Sequence, residues 1–397
     1  MLFRSKIYKP PHVYYVVEDA LEQDFDDSDR VVVSHTDPSS TNIERLSQKV
    51  KEQNETHFTI ITRDSEGRQC YNKDDLINCK IRPSTGDSSE TELDLEDNGD
   101  GSYLAEYTPS STGLYDLKIE VNGKPLVGSP WSVQVIPHQY RLKFSFGSNG
   151  SGPGQFNGPY DIAVSKKTGT IAVSDYENKR IQLFDSKGHY LREIGLRASC
   201  TSLDFTESGQ IIANTPGNVL LKISLFSEEG QFVKRINSKY LKSPFCLSTD
   251  DDDDITVCDE ESNEVTVISH SGKELVTRIA ASEREQSVTY AIFHNCTGCF
   301  FVSDSKADLV RVFNGSGNFL YEIGRGQLLN PVGLAIDKFN NLIVCDTGNK
   351  RLKVFSTRGD FLSETEQYFH TPYFVAVSNE GDVLVPDYEK NCVVVFQ

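Results

Sequence analysis

The side chains best suited to chemistry in this sequence are few and scattered. Cys296-Thr297-Gly298-Cys299 sets two thiols at the spacing of a zinc-ligand pair. A closed zinc site needs four ligands, and no second Cys or His pair follows at matching spacing, so no metal is expected there. Asp250 to Asp254 is a run of five carboxylates. It lacks the glycine and the alternating oxygen ligands of a preorganised calcium loop, so it reads as a solvated acidic turn. His294 falls in an apolar strand with no histidine partner in register. No nucleophile elbow, phosphate loop or metalloprotease motif occurs, so neither a catalytic residue nor a cofactor is expected. What remains is recognition chemistry. Tyr160, Phe245, Tyr290 and Tyr373 offer aromatic faces, and Lys179, Arg180, Lys350, Arg351 and Lys390 offer cations. Such groups stack on bases, anchor peptides or reach phosphates.

The elements that carry these residues repeat. Val173-Ser174-Asp175-Tyr176-Glu177-Asn178-Lys179-Arg180-Ile181-Gln182-Leu183-Phe184 aligns with Val344-Cys345-Asp346-Thr347-Gly348-Asn349-Lys350-Arg351-Leu352-Lys353-Val354-Phe355. Weaker copies place Asp259, Asp304 and Asp387 at the same point, and the second copy has Asn214 there, followed by a longer insertion. The marks recur about every 39 to 45 residues, one four-stranded propeller blade per repeat. In each repeat an apolar strand comes first, as in Tyr160-Asp161-Ile162-Ala163-Val164. A turn follows, then a strand ending at the Asp, a polar loop, a strand ending in Phe and a last strand after a Gly turn. The repeated Asp reads as a structural mark that bonds loop N–H groups.

The sixth repeat stops after its third strand, Val393-Val394-Val395-Phe396. Arg141-Leu142-Lys143-Phe144-Ser145-Phe146-Gly147 precedes the first repeat and looks like the missing fourth strand. The ring is therefore expected to close by pairing 141–146 with the C-terminal strand, which protects the sheet edges. The leading positions of the six first strands, Tyr160, Thr201, Phe245, Tyr290, Val332 and Tyr373, should ring one mouth of the central channel. The loops between second and third strands open on the same face. They carry Lys179, Arg180, Lys350, Arg351 and Lys390 in repeats one, five and six, against Glu260, Glu261, Glu264 and Asp308 in repeats three and four. The face is predicted to be basic on one side and acidic on the other.

The net charge is −18, of which about −11 falls in residues 1–139 and about −7 in 140–397. An acidic chain is a poor bulk binder of nucleic acid, because neutralising phosphates needs Lys and Arg. Only a local basic sector would support such binding. No stretch of 18 apolar residues suggests a membrane span. Residues 1–11 lack the apolar core of a signal peptide, so the nine scattered cysteines read as reduced residues of a cytoplasmic protein.

Upstream of the repeats a second signature runs through Asp97-Asn98-Gly99-Asp100-Gly101-Ser102-Tyr103, Tyr107-Thr108-Pro109, Gly113-Leu114-Tyr115 and Gly128-Ser129-Pro130-Trp131. Alternation through Tyr103, Ala105 and Tyr107, and through Leu117, Ile119 and Val121, indicates half-buried antiparallel strands. Trp131 reads as a core residue. This stretch resembles a filamin-type immunoglobulin-like repeat, and the six repeats resemble the NHL family. Residues 1–30, with the acidic run Asp24 to Asp29, read as a loose lead-in; 31–137 as the filamin-type domain; 138–397 as the propeller. The expected fold is thus all-β: a filamin-type immunoglobulin-like β-sandwich followed by a six-bladed NHL β-propeller.

The order of the two resembles the C-terminal half of the tripartite-motif NHL proteins. In that family a RING finger, B-boxes and a coiled coil come first, and the RING makes those proteins ubiquitin ligases. No RING, B-box or coiled-coil pattern is read in this sequence. The resemblance therefore implies the recognition half: a non-catalytic module that binds a protein or RNA on the propeller face, with a β-strand peptide added to the filamin-type domain. An mRNA-binding regulator using repeats five, six and one is the alternative. A propeller hydrolase or lyase is a remote second one, since the inner strands Ile162-Ala163-Val164, Leu334-Ala335-Ile336 and Val375-Ala376-Val377 are apolar.

Overall fold

The computed structural model describes residues 35–52, 54–84, 90–109, 112–215, 222–280 and 287–397. The lead-in with Asp24 to Asp29, the expected domain start near residue 31 and the insertion after Asn214 lie outside the described residues. The described chain forms two compact units, one ending at His138 and the other starting at Gln139.

The first unit is a β-sandwich. One sheet pairs Asn42–Glu44, Thr56–Ile61, Ser102–Tyr107 and Leu95–Asp97 in that order. The other pairs Lys49–Lys51, Trp131–Ile136, Gly113–Val121, Ile77–Pro83 and Thr91–Glu92. Alternate residues of each strand face inward, as the two-residue pleat requires. Phe58, Ile60, Tyr103, Ala105 and Tyr107 meet Cys79, Ile81, Leu117, Ile119, Val121, Val133 and Val135 in one core. Burying each large side chain there stabilises the unit by about 1.5–3 kcal/mol. Trp131 is only half-buried. One part packs on this core, and the rest lines a surface groove of about 470 Å³ with Ile43, Leu46 and Val127.

The second unit is a six-bladed propeller. Five blades are contiguous in sequence. Their inner strands are Pro159–Val164, Ser202–Phe205, Pro244–Thr249, Val288–His294 and Pro331–Ile336. Each inner strand lies against those of its neighbours, and the ring closes from blade six onto blade one. The sixth blade is composite: Ala376–Val377, Val383–Asp387, Cys392–Phe396 and, as its outer strand, Leu142–Phe146. Phe144, Ser145 and Phe146 pair with Val395, Val394 and Val393. The clasp is reinforced by mutual backbone bonds between Arg141 and Gln397, by Tyr140 Oη donating to Asp337 Oδ2 at 2.9 Å, and by the Lys143–Asp382 ion pair at 2.6 Å.

The centre of the ring is filled by one unequal position. The residues after the six leading positions are Asp161, Ser202, Cys246, Ala291, Gly333 and Phe374, all buried. Five are small or short, and Phe374 occupies the space they leave. A β-carbon on Gly333 would lie 2.6 Å from the Phe374 Cα, so only glycine lets the blade-six backbone come this close. The Gly333 N–H donates to the Tyr373 carbonyl at 2.8 Å. This incursion explains why Val375 is not in the ladder: the inner strand of blade six is reduced to Ala376–Val377, preceded by an isolated Pro372–Asp387 bridge.

Candidate recognition face of the propeller

The ladder register sets which loops share a face. Pro159 pairs with Asp175 and Asp175 with Arg180. The lead into each first strand and the loop between second and third strands therefore open at the same end of the blade.

The repeated aspartates build that end. Asp175 Oδ1 accepts from the Asn157 N–H at 2.7 Å. Asp259 Oδ2 accepts from the Lys242 and Ser243 N–H groups at 2.6 and 2.8 Å. Asp304 accepts from Ser287 and Ala307, Asp346 from Leu329, and Asp387 from His370 and Thr371. Each carboxylate thus ties the lead into its own blade to the end of the second strand by accepting from loop N–H groups. Blade two reverses the polarity: Asn214 donates to the Pro244 and Phe245 carbonyls of blade three at 2.7 and 3.1 Å.

The aromatic residues do not form an even ring. Tyr160 and Tyr373 meet at 4.9 Å between ring centroids, and both contact Tyr388, at 6.1 and 5.9 Å. Tyr176 adds to the cluster, 5.4 Å from Tyr160. All four are half-buried. Gly158 makes the room: a β-carbon there would lie 2.6 Å from the Tyr388 ring. Tyr388 Oη donates to Glu177 Oε1 at 3.0 Å. Burial, then the bond and charge of Glu177, push the Tyr388 phenol up to about 12. Burial likewise raises the Tyr160 phenol. Phe245 is half-buried against the same core. Tyr290 departs from its expected place at an open mouth. It is 8% exposed and packs edge-on to Phe374 at 5.2 Å, because the Phe374 plug covers it. Thr201 and Val332 are buried as well.

The cations divide sharply. Arg180 is buried and spent. It donates to Asp175 Oδ2 at 2.8 Å, Glu193 Oε2 at 2.7 Å, and the Gly152 and Gln155 carbonyls at 2.9 and 2.8 Å. It is a strut, and its place as a ligand-facing cation is corrected. Arg351 bonds Glu364 and, weakly, the Asn349 carbonyl. The Lys390 ammonium bonds the Tyr368 carbonyl and lies 3.9 Å from Asp387. Lys179 and Lys350 are exposed and make no ion pair among the described residues. The blades expected to be acidic carry cations on the same end, Lys242 and Lys306. Glu264 is engaged by Arg278 at 3.5 Å, and Asp308 caps the Asn330 N–H at 2.6 Å. The predicted division into basic and acidic halves is therefore blunted.

Several polar residues had no sequence reading. Arg311 and Lys353, at the third position of their strands, supply Asp304 and Asp346 with the counter-charge that Arg180 gives Asp175. Asp161 and Asp204 sit on adjacent inner strands. Asp161 Oδ2 accepts from Ser202 Oγ at 2.8 Å and the Leu203 N–H at 2.9 Å, while Asp204 Oδ2 accepts from the Thr249 N–H at 2.7 Å. Burial pushes the Asp161 carboxyl up to about 7, against those bonds, and raises Asp204. Together with Ser248 donating to the Ala291 carbonyl at 2.7 Å, they lace blades one to four edge to edge. Their signal was an alternation of short polar residues in strands that otherwise read as apolar.

On the opposite face, the Asp250–Asp254 turn is structured by its own carboxylates. Asp250 accepts from the Asp252 and Asp254 N–H groups. Asp251 engages Lys166 and Asn295, and Asp253 caps Glu207. His294 is held between Thr297 and Asn340. Among the described residues no three His, Cys, Asp or Glu side chains are grouped to hold a metal ion, and no helix is long and apolar enough to cross a membrane.

The geometry defines a filamin-type sandwich joined in sequence to a six-bladed propeller with NHL-type blades. Comparison with known proteins agrees. Residues 35–132 match the Filamin/ABP280 repeat, and residues 156–184 and 328–355 match the NHL repeat. Protein lin-41 of Caenorhabditis elegans is 30% identical over 112 residues, 26% of this chain and 10% of that protein. E3 ubiquitin-protein ligase TRIM71 of Mus musculus is 28% identical over 138 residues, 34% and 16% of the two chains. Tripartite motif-containing protein 2 of Ailuropoda melanoleuca is 26% identical over 189 residues, 45% and 24%. The matched region thus spans between a tenth and a quarter of those relatives' length. Among solved structures, a structural genomics protein of unknown function from Bacteroides thetaiotaomicron aligns with TM-score 0.59 and 11% identity, covering 90% of this chain and 97% of that one. That likeness bears on fold alone. Filamin repeat followed by NHL repeats is the organisation of the C-terminal region of the tripartite-motif NHL family, and this chain has it.

Proposed function

We propose that the chain is a recognition module whose propeller binds a protein ligand on the face of the leading loops, over blades six and one. The observation that carries this reading is the cluster Tyr160, Tyr176, Tyr373 and Tyr388, half-buried and continuous with the Phe374 plug. Rigid aromatic side chains on a well-packed base lose little entropy on binding, which is why they dominate protein-binding hot spots. By analogy with relatives named as ubiquitin ligases, the ligand would be a ligase substrate, with the filamin-type unit as spacer or as a second site that takes a β-strand peptide along a sheet edge.

RNA is the second reading, favoured by one observation: exposed Lys179 and Lys350 carry no ion pair among the described residues. Arg180, Arg351 and Lys390 are engaged by partners within the chain, and the other cations of this face, Lys179, Lys242, Lys306 and Lys350, are spread over blades one, three, four and five rather than gathered in one sector. Capture experiments at low and high salt separate the two, since phosphate contacts weaken steeply with salt. A ligand retained at high salt and lost in Tyr160→Ser/Tyr373→Ser supports the protein reading. A ligand lost with salt or ribonuclease overturns it.

A further inference from the structure

The tyrosine cluster has a chemical bias that narrows its ligand. Glu177 is exposed, and its carboxylate is fixed by the Tyr388 hydroxyl at 3.0 Å. Its backbone N–H is pinned to the Asn157 carbonyl at 3.1 Å, and the adjacent Tyr176 N–H to the Gly158 carbonyl at 3.1 Å. Gly158 itself donates to Asn391 Oδ1 at 2.8 Å, which locks blade one to blade six beneath the rings. The carboxylate and the aromatic faces are therefore held together before any ligand arrives. Tyr388 stands nearly perpendicular to Tyr160, at 83°, and at 73° to Tyr373, so the cluster presents faces in more than one direction. Lys390, the predicted cation of the blade-six loop, is drawn to the Tyr368 carbonyl, while Lys179, whose backbone N–H bonds the Tyr176 carbonyl at 3.2 Å, is the exposed cation of the same turn as Glu177.

Electron-rich ring faces beside a carboxylate complement a cation, and most of all a planar one. A guanidinium stacks on a tyrosine face while its N–H fork reaches a carboxylate. A nucleobase would also stack on these rings, but its phosphate would meet Glu177 with like charge. We infer that the Tyr160–Tyr176–Tyr373–Tyr388 cluster with Glu177 is a receptor for an arginine side chain of the protein ligand. The inference rests on the protein-binding reading of this face and deepens it by naming the recognised group.

The test is tyrosine-ring NMR on the full chain, with Tyr160, Tyr176, Tyr373 and Tyr388 assigned by single Tyr→Phe variants. The probes are the capped peptide Gly-Gly-Arg-Gly-Gly, the same peptide with citrulline at its centre, and oligouridylate. Citrulline keeps the planar shape and removes the charge. Saturable shifts of the four rings by the arginine peptide, at least about tenfold weaker with citrulline and similarly weakened in Glu177→Gln, are expected. A Lys166→Ala variant on the opposite face should bind as the parent does, which excludes attraction by net charge alone. Equal binding of the arginine and citrulline peptides, or unchanged affinity in Glu177→Gln, overturns the arginine receptor. If oligouridylate shifts the rings and the arginine peptide does not, the protein-binding reading falls with it. If a captured protein still needs Tyr160 and Tyr373 but not Glu177, only the arginine assignment falls.

Discussion

Lys179 and Arg180 are neighbours of like charge, yet the structure gives them opposite roles, and one substitution series separates these. Arg180→Met keeps the length and apolar stem of the side chain and removes the guanidinium. Four hydrogen bonds are lost: one to Asp175, which is fully buried, two to the carbonyls of the half-buried Gly152 and Gln155, and one to Glu193. Glu193 is 43% exposed, so that arm contributes little. Removing one partner of a buried ion pair costs about 3–5 kcal/mol, chiefly through the stranded charge. Asp175 keeps Asn157, Asn178 and Gln182 as donors, which places the expected loss near the lower end, about 3 kcal/mol. For a unit of this size that lowers the melting point by on the order of 10 °C. Calorimetry reads the propeller transition, and fluorescence of the single tryptophan, Trp131, reads the filamin-type unit as an internal control. Lys179→Met should move neither by more than about 0.5 kcal/mol. A propeller transition that is unmoved in Arg180→Met, or moved equally in both variants, would refute the assignment of Arg180 as a strut.

Other outcomes follow from the same contacts. Arg351→Met, at the aligned position of blade five, should cost under about 1 kcal/mol by urea unfolding, because its main partner Glu364 is exposed. Lys353 provides the buried counter-charge there instead. Deleting residues 388–397 removes the strand that pairs with Leu142–Phe146, so the cooperative calorimetric transition of the propeller should vanish; a retained transition would contradict ring closure by that strand. Burial pushes the Asp161 carboxyl in the folded chain up to about 7, from its ordinary 3.8. Its folded form therefore holds a proton more tightly than the unfolded chain does. The contribution of that proton to stability is full below about pH 4 and is lost as pH rises to about 7, up to about 4 kcal/mol in all. The stability difference between Asp161→Asn and the parent should shift in favour of the variant across that window, and a difference independent of pH would show that Asp161 is ionised throughout. Lys179→Glu with Lys350→Glu should abolish any RNA binding in a filter assay, and unchanged affinity would remove the basic sector from consideration.

What could be read from the sequence was whatever each repeat states for itself. The Asp marks, the strand-ending Phe residues and the likeness of 141–147 to a fourth strand are local patterns, and the ladder realises them. The alternation in 102–121 was legible for the same reason. What escaped depends on residues that meet only across the ring. Phe374 is one aromatic among aligned Asp161, Ser202, Cys246, Ala291 and Gly333, and its role follows from the sum of their volumes rather than from its own repeat. Its presence also buries Tyr290, which the alignment placed at the mouth beside Tyr160 and Tyr373. Residue type likewise gave no view of partners. Arg180 and Arg351 align, but blade five takes its counter-charge from Lys353, two residues on, so the second arginine is left with an exposed carboxylate. Trp131 reads as core by its type, while the open groove beside Val127 leaves part of its ring at the surface.

The claim that the leading-loop face is the recognition surface is tested most directly by affinity capture with the full chain, compared across three proteins: the parent, Tyr160→Ser/Tyr373→Ser, and Lys166→Ala on the opposite face. The account predicts a protein ligand that survives ribonuclease and high salt, is retained by the parent and by Lys166→Ala, and is lost by the tyrosine variant while its melting transition persists. Undiminished capture by the folded tyrosine variant, or loss with Lys166→Ala alone, would contradict it.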